Sequence, residues 1–298
     1  MAKTFGPEEH KILSLFSVDS TFCYEGEFFK VNNSGKPTCK KGEPKTDIYV
    51  EAVNSNNCVK EFKISFKQEN AEFLENKTNA DRAEQLFGSK WQEIIISAVT
   101  KLQNDFQKRP LIYKSKLGRT DKGAITLGWK VELLNVKSGQ LSEKIDLTRQ
   151  QVIDVYAGTN LSEDKRNAYV NDVIIKDSGV ANFILVKRDN IDTTQDAANS
   201  LIAIDDYVDQ NPNVYFACKA LNYRSLKNKY DGNRPLAVYV NWFVTNGKLD
   251  YELVFNRPLL EKGDAVYERL KSALDLLGVS NTNNLGLELI QHTESVNI

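Results

Sequence analysis

Alternation of apolar and polar positions is the sharpest pattern in the first quarter of the chain. Across 59–67 (VKEFKISFK), Phe62, Ile64 and Phe66 alternate with Glu61, Lys63, Ser65 and Lys67. A period of two predicts a strand with one face in the core and the other carrying the polar set. The preceding run 46–53 (TDIYVEAV) predicts a second strand, joined to the first through NSNN, a turn by composition. Upstream, 8–16 reads as a short helix and 21–31 (TFCYEGEFFKV) as a strand, followed by a polar loop from Asn32 to Glu43.

The period changes at 89–106. Trp91, Ile94, Ile95, Ala98, Leu102 and Phe106 recur at helical spacing, with Ser89 as the expected N-cap and Pro110 beyond the end. Strands are expected at 111–114 and 124–136, a helix at 148–157, and strands at 180–187, 214–220 and 236–244. The run 249–255 should pair with 236–244 across Asn246-Gly247, a favoured hairpin turn. A helix at 263–277 closes the series at Gly278. Helices and strands mix without a regular βαβ rhythm. The expected class is therefore α+β or mixed α/β, with a central mixed β-sheet flanked by helices.

Composition narrows the chemistry. The chain has 298 residues and a net charge of −1, which argues against indiscriminate nucleic-acid coating but leaves room for a local basic cleft. Cys23, Cys39, Cys58 and Cys218 form no CxxC pair, and His10 and His292 are the only histidines, so a zinc site is not expected. Free thiols, a polar start and no long apolar run point to a cytoplasmic protein without a membrane span.

The segment 42–68 carries the strongest chemical signal. Asp47 opens one strand just after Pro44-Lys45-Thr46, and Lys67 ends the next. A hairpin would bring both to one end of a sheet. There a carboxylate can hold Mg²⁺, a hard cation satisfied by one or two carboxylates plus water and phosphate oxygens. A neighbouring lysine can place or deprotonate water. Gln68 would add a polar contact. The segment resembles the active site of the PD-(D/E)xK nuclease superfamily, which includes many Type II restriction endonucleases. Pro44 to Asp47 is similar to the first half of the motif, and Ser65-Phe66-Lys67 to the second.

The resemblance implies a Mg²⁺-dependent, sequence-specific endonuclease acting on double-stranded DNA as a homodimer and leaving 5′-phosphate ends. In it Asp47 is the metal ligand, Lys67 activates or places water, and Ser65 assists. It also implies a restriction-endonuclease-like core in which the lysine-bearing strand leads into a helix and a further strand, expected at 89–106 and 111–114. Ser65 replaces the usual acid, so the metal lacks a carboxylate, for which Glu8, Glu9, Glu25 and Glu27 are candidates. A second register, Glu61-Phe62-Lys63, restores the acid at the same parity. Other readings are a repair or phage nuclease of the same superfamily, or an inactive DNA-binding module.

DNA contacts are expected from three segments. The first, 108–122, contains Lys114, Lys116 and Arg119; the second, 222–234, contains Arg224, Lys227, Asn228, Lys229, Asn233 and Arg234. Lys and Arg suit phosphates and guanine, and Asn suits adenine. The third is 165–182. The organisation expected is a nuclease core over 1–120, with 121–298 completing the fold and serving recognition, as two parts or one continuous domain.

Overall fold

The computed structural model describes residues 6–40, 42–67, 73–76, 78–187 and 190–298. Gln68 lies outside them. With 29% helix and 34% strand the chain is a mixed α/β protein, as expected from its patterning. It divides into two units that alternate along the sequence: Met1–Glu72 with Leu147–Pro212, and Phe73–Asp146 with Asn213–Ile298. The chain thus changes unit near residues 72, 146 and 212.

The first unit begins with α1 (Pro7–Leu15). Pro7 starts the helix, and Glu8 and Glu9 lie in its first turn, where negative charge complements the helix dipole. Strands β1 (Thr21–Tyr24) and β2 (Glu27–Gly35) form a hairpin. The single strand expected over 21–31 is broken because Glu25 and Gly26 turn with φ of 52° and 82°, the left-handed pair that a two-residue hairpin needs. β3 (Ile48–Asn54) and β4 (Val59–Lys67) extend the antiparallel meander. Asn54 Oδ1 closes their turn by accepting from the Asn56 and Cys58 amides.

The chain re-enters this unit through α2 (Arg149–Ala157), capped by a reciprocal Thr148–Gln151 box. It continues into β5 (Phe183–Val186), α3 (Thr194–Asn199), β6 (Leu201–Ala203) and α4 (Ile204–Gln210). β5 lies parallel to β4, pairing Ile184 with Ser65 and Val186 with Lys67. The sheet runs β1-β2-β3-β4-β5-β6 in space. Phe22, Phe29, Phe62, Ile64, Phe66 and Phe183 pack on one face with Ile12 and Phe16 from the α1 side. Phe62 is its hub, with ring contacts to Phe22, Tyr24, Phe29 and Phe183.

The second unit holds a nine-stranded sheet centred on Ala124–Leu134 and Val214–Arg224. Its hairpin Val238–Thr245/Lys248–Val254 turns at Asn246-Gly247, as the dipeptide predicts. The segment 89–106 belongs here, as helices Trp91–Thr100 and Gln103–Gln107. Ser89 is not the cap; Lys90 holds that place without a side-chain bond. Ile112–Tyr113 pairs with the strand Ala124–Leu134. The expectation that 89–106 and 111–114 follow β4 into its sheet is therefore corrected. The strand beside β4 is β5; α2 comes before it, with the short helix Glu163–Arg166 and the Tyr169–Val170/Val173–Ile174 hairpin between them.

Candidate active site

β3 and β4 separate at Asp47. The last paired residues are Ile48 and Ile64, and Asp47 closes the ladder twice. Its amide donates to Ile64 O at 2.8 Å, and its Oδ2 accepts from the Phe66 amide at 2.8 Å. The side chain thus takes the place of a strand carbonyl. Beyond that point β4 pairs with β5 instead: Lys187 N donates to Lys67 O at 2.7 Å. The pairing register puts Asp47 opposite Ser65 and leaves Lys67 one step further on the same face.

Burial drives the Asp47 carboxyl up to about 6. Lys67 pulls it back down, Glu9 raises it, and the Phe66 amide and Lys36 lower it. The fields of Glu9, Lys36 and Lys67 therefore converge on Asp47. Glu9 comes from the first turn of α1, and its Oε2 lies 2.9 Å from Lys36 Nζ. Its neighbour Glu8 pairs with Lys187 at 3.0 Å, which ties the start of α1 to the end of β5. Ser65 is fully buried, and its hydroxyl meets no hydrogen-bond partner among the described residues. The same holds for the hydroxyl of Thr46, which is also buried. Unpaired buried hydroxyls are costly and tend to mark sites with a role beyond packing.

The segment before Asp47 is locked in place. Lys45 N and Thr46 N both donate to Gly179 O, at 3.0 and 3.2 Å. Gly179 is required there, since a Cβ would meet Lys165 O at 1.8 Å. Gly158, which ends α2 with a φ of 73°, lies against the Lys45 side chain. The 165–182 region is thus a buttress for the residues leading into Asp47. Its Arg166 is engaged with Asp177 and with Thr159 O.

The second register has different surroundings. Lys63 faces Tyr49 across the strands. Glu61 accepts from Tyr49 OH at 2.6 Å and lies 3.7 Å from Lys63 Nζ. Burial and Glu61 hold the Tyr49 phenol well above its usual range. Of the four candidate carboxylates, Glu25 pairs with Lys60 and Glu27 accepts from Asn54. Both lie at the opposite end of the sheet from Asp47. Glu9 is the one whose charge acts on Asp47. Sequence reading named Glu9 among four and missed Lys36, because nothing local shows that α1 and the end of β2 meet at this point.

Among the described residues no group of three or more His, Cys, Asp or Glu side chains is placed to hold a metal ion. The donors at hand are two carboxylates, Asp47 and Glu9, and the Ser65 hydroxyl. That set is too small for a zinc or calcium cage. It fits Mg²⁺, which keeps several waters and takes one or two carboxylates.

While 165–182 belongs to the first unit, the DNA contacts expected from 108–122 and 222–234 lie in the second. Its two basic segments are brought together: Ser225 donates to Gly123 O through both N and Oγ, at 2.9 and 2.8 Å. Several of the residues hold the fold. Lys114 donates to Leu285 O. Arg224 is shared between Asp231 and Asp121 at 2.7 and 3.2 Å. Asn228 adopts a left-handed turn and accepts from Tyr223 OH. Asn233 bonds Asp264 at the start of the helix Gly263–Leu276. Lys116, Arg119, Lys227, Lys229 and Arg234 are exposed. No helix of the described residues is long and apolar enough to cross a membrane. No family model matches the chain, and no curated protein or solved structure matches it.

Proposed function

We propose that the chain is a Mg²⁺-dependent DNA endonuclease of the PD-(D/E)xK type, with Asp47, Glu9 and Lys67 as its reacting groups. The observation that carries this reading is the parting of β3 and β4, where Asp47, Ser65 and Lys67 share one face and Glu9 arrives from α1. The order supports it as well: a helix, a meander ending in the lysine-bearing strand, then a helix and a parallel strand. That is the core order the resemblance implies, with the first segment of the second unit placed between β4 and α2.

Asp47 and Glu9 would hold the cation. When bound, Mg²⁺ supplies charge neutralisation at the phosphoryl group and lowers the pKa of its water. The chain's own residues do the rest. Lys67, fixed through its carbonyl to β5, places or activates the attacking water. The cations and the low water access around Asp47 favour charge developing on phosphoryl oxygens. Lys116, Arg119, Lys227, Lys229 and Arg234 supply phosphate and base contacts. Sequence-specific cleavage by a homodimer is the form of activity proposed.

The test is incubation of the full chain with plasmid and phage DNA plus Mg²⁺, with EDTA, Asp47→Asn and Lys67→Ala as controls. Discrete fragments from the unmodified chain alone are expected. Random degradation would point to a repair-type nuclease. Binding without cleavage would point to a DNA-binding module that has lost its chemistry through Ser65. Cleavage surviving both substitutions would overturn the site.

A further inference from the structure

Glu9 is needed as the second carboxylate of the site, yet it is engaged by Lys36 at 2.9 Å, with the two side chains only 26% and 22% exposed. A pair shielded to this degree is weakly screened by salt and competes with other cations for the carboxylate. Resting on the Mg²⁺-site reading above, we propose that Lys36 is a latch that couples the divalent cation to the phosphodiester. Lys36 competes with the cation for Glu9; a phosphodiester oxygen draws Lys36 away and releases Glu9 to the cation.

Three observations place the exchange at the site. Both charges act on Asp47, in opposite senses. The backbone around Lys36 is pinned on both sides, by Asn171 Nδ2 to Ser34 O at 3.0 Å and by the Thr38–Tyr169 amide pair at 2.9 and 2.8 Å. Glu9 stands on a helix whose first turn is tied to β5 through Glu8 and Lys187. The exchange is therefore one of side chains on fixed backbones. A lysine suits this role because it is a compact charge on a flexible stem, able to pass from a carboxylate to a phosphate oxygen. Linkage makes the coupling reciprocal: the phosphodiester strengthens cation binding by the same factor by which the cation strengthens phosphodiester binding.

The experiment is titration of the full chain with Mn²⁺, counting free ion by electron paramagnetic resonance, with and without dimethyl phosphate. Lys36→Met, Lys36→Arg and Asp47→Asn are compared, and circular dichroism checks each fold. The unmodified chain should bind Mn²⁺ about tenfold more tightly when dimethyl phosphate is present. Lys36→Met should bind Mn²⁺ about tenfold more tightly than the unmodified chain without it, and gain nothing on its addition. Lys36→Arg should keep the coupling. Mn²⁺ binding by the unmodified chain that Lys36→Met leaves unchanged in both conditions would overturn the latch alone. Mn²⁺ binding no stronger than that of Asp47→Asn would overturn the metal site itself.

Discussion

Strand β4 carries the pattern of a polar residue, an apolar residue and a lysine twice on one face, and the two copies have opposite surroundings. At mid-strand, Glu61 and Lys63 are in contact with each other and with Tyr49. At the strand end, Ser65 has a buried hydroxyl with no partner among the described residues, Asp47 carries a raised pKa, and the charges of Glu9, Lys36 and Lys67 converge. Spacing alone cannot separate the copies, because the period of a strand repeats every two residues. What separates them is whether β3 is still paired. Where the ladder holds, polar side chains bond one another. Where it opens, Asp47 bonds the β4 backbone instead, and the charges of Glu9, Lys36 and Lys67 act on it.

The largest expected effects break or keep this contrast outright. Lys67→Ala should lower single-turnover cleavage by about 10³-fold or more, while Lys63→Ala leaves it within about threefold. The reverse result would move the reacting groups to mid-strand. Asp47→Asn should also abolish cleavage, yet stabilise the fold. An acid whose folded pKa is raised disfavours folding when ionised, fully so above about 6 and not at all below its unfolded value. Urea unfolding without added metal should show a gain of about 1–2 kcal/mol at pH 8 that vanishes by about pH 3. Glu61→Gln should show no such gain, since it weakens the bond to Tyr49.

A smaller effect tests the second carboxylate. Glu9→Gln should reduce cleavage about 10- to 100-fold and shift the Mg²⁺ requirement upward, while Glu25→Gln and Glu27→Gln leave both unchanged. The pH profile sharpens the same point. At fixed low Mg²⁺, cleavage should fall about tenfold per pH unit below about 6, as Asp47 protonates, and more Mg²⁺ should move that limb to lower pH. Ser65→Ala carries the smallest effect. Loss of a hydroxyl with only a packing role would leave cleavage intact, whereas a hydroxyl serving the metal's water should cost about tenfold.

Much of this was legible in the sequence wherever the signal was local. Alternation located β4 within its observed bounds, the helix expected at 148–157 is α2, and Asn246-Gly247 located the hairpin of the second unit. Asp47 and Lys67 were legible because a proline-led turn and a strand end bracket them. Nonlocal pairing left no such trace. The run 89–106 comes sooner after β4 in sequence than α2 does and has the stronger period, so it was read as the helix leading to the next strand of that sheet. Glu9 and Lys36 carry no local mark of proximity to Asp47. In the basic segments the composition was visible, but not the carboxylates of Asp121, Asp231 and Asp264, which engage Arg224 and Asn233.

The parallel pairing of β4 with β5 also sets a timetable for folding. Lys63 and Asn182, bonded at the edge of that pairing, stand 119 residues apart in sequence. Closing so long a loop is slow and entropically costly, and until it closes β4 presents an open edge able to pair with another chain. During synthesis the meander emerges first, and Lys67 is clamped only once the whole of the second unit's first segment and α2 have been made. A chain that stops short of residue 183 would carry Asp47 and Lys67 on an unfinished sheet, with aggregation as its main hazard.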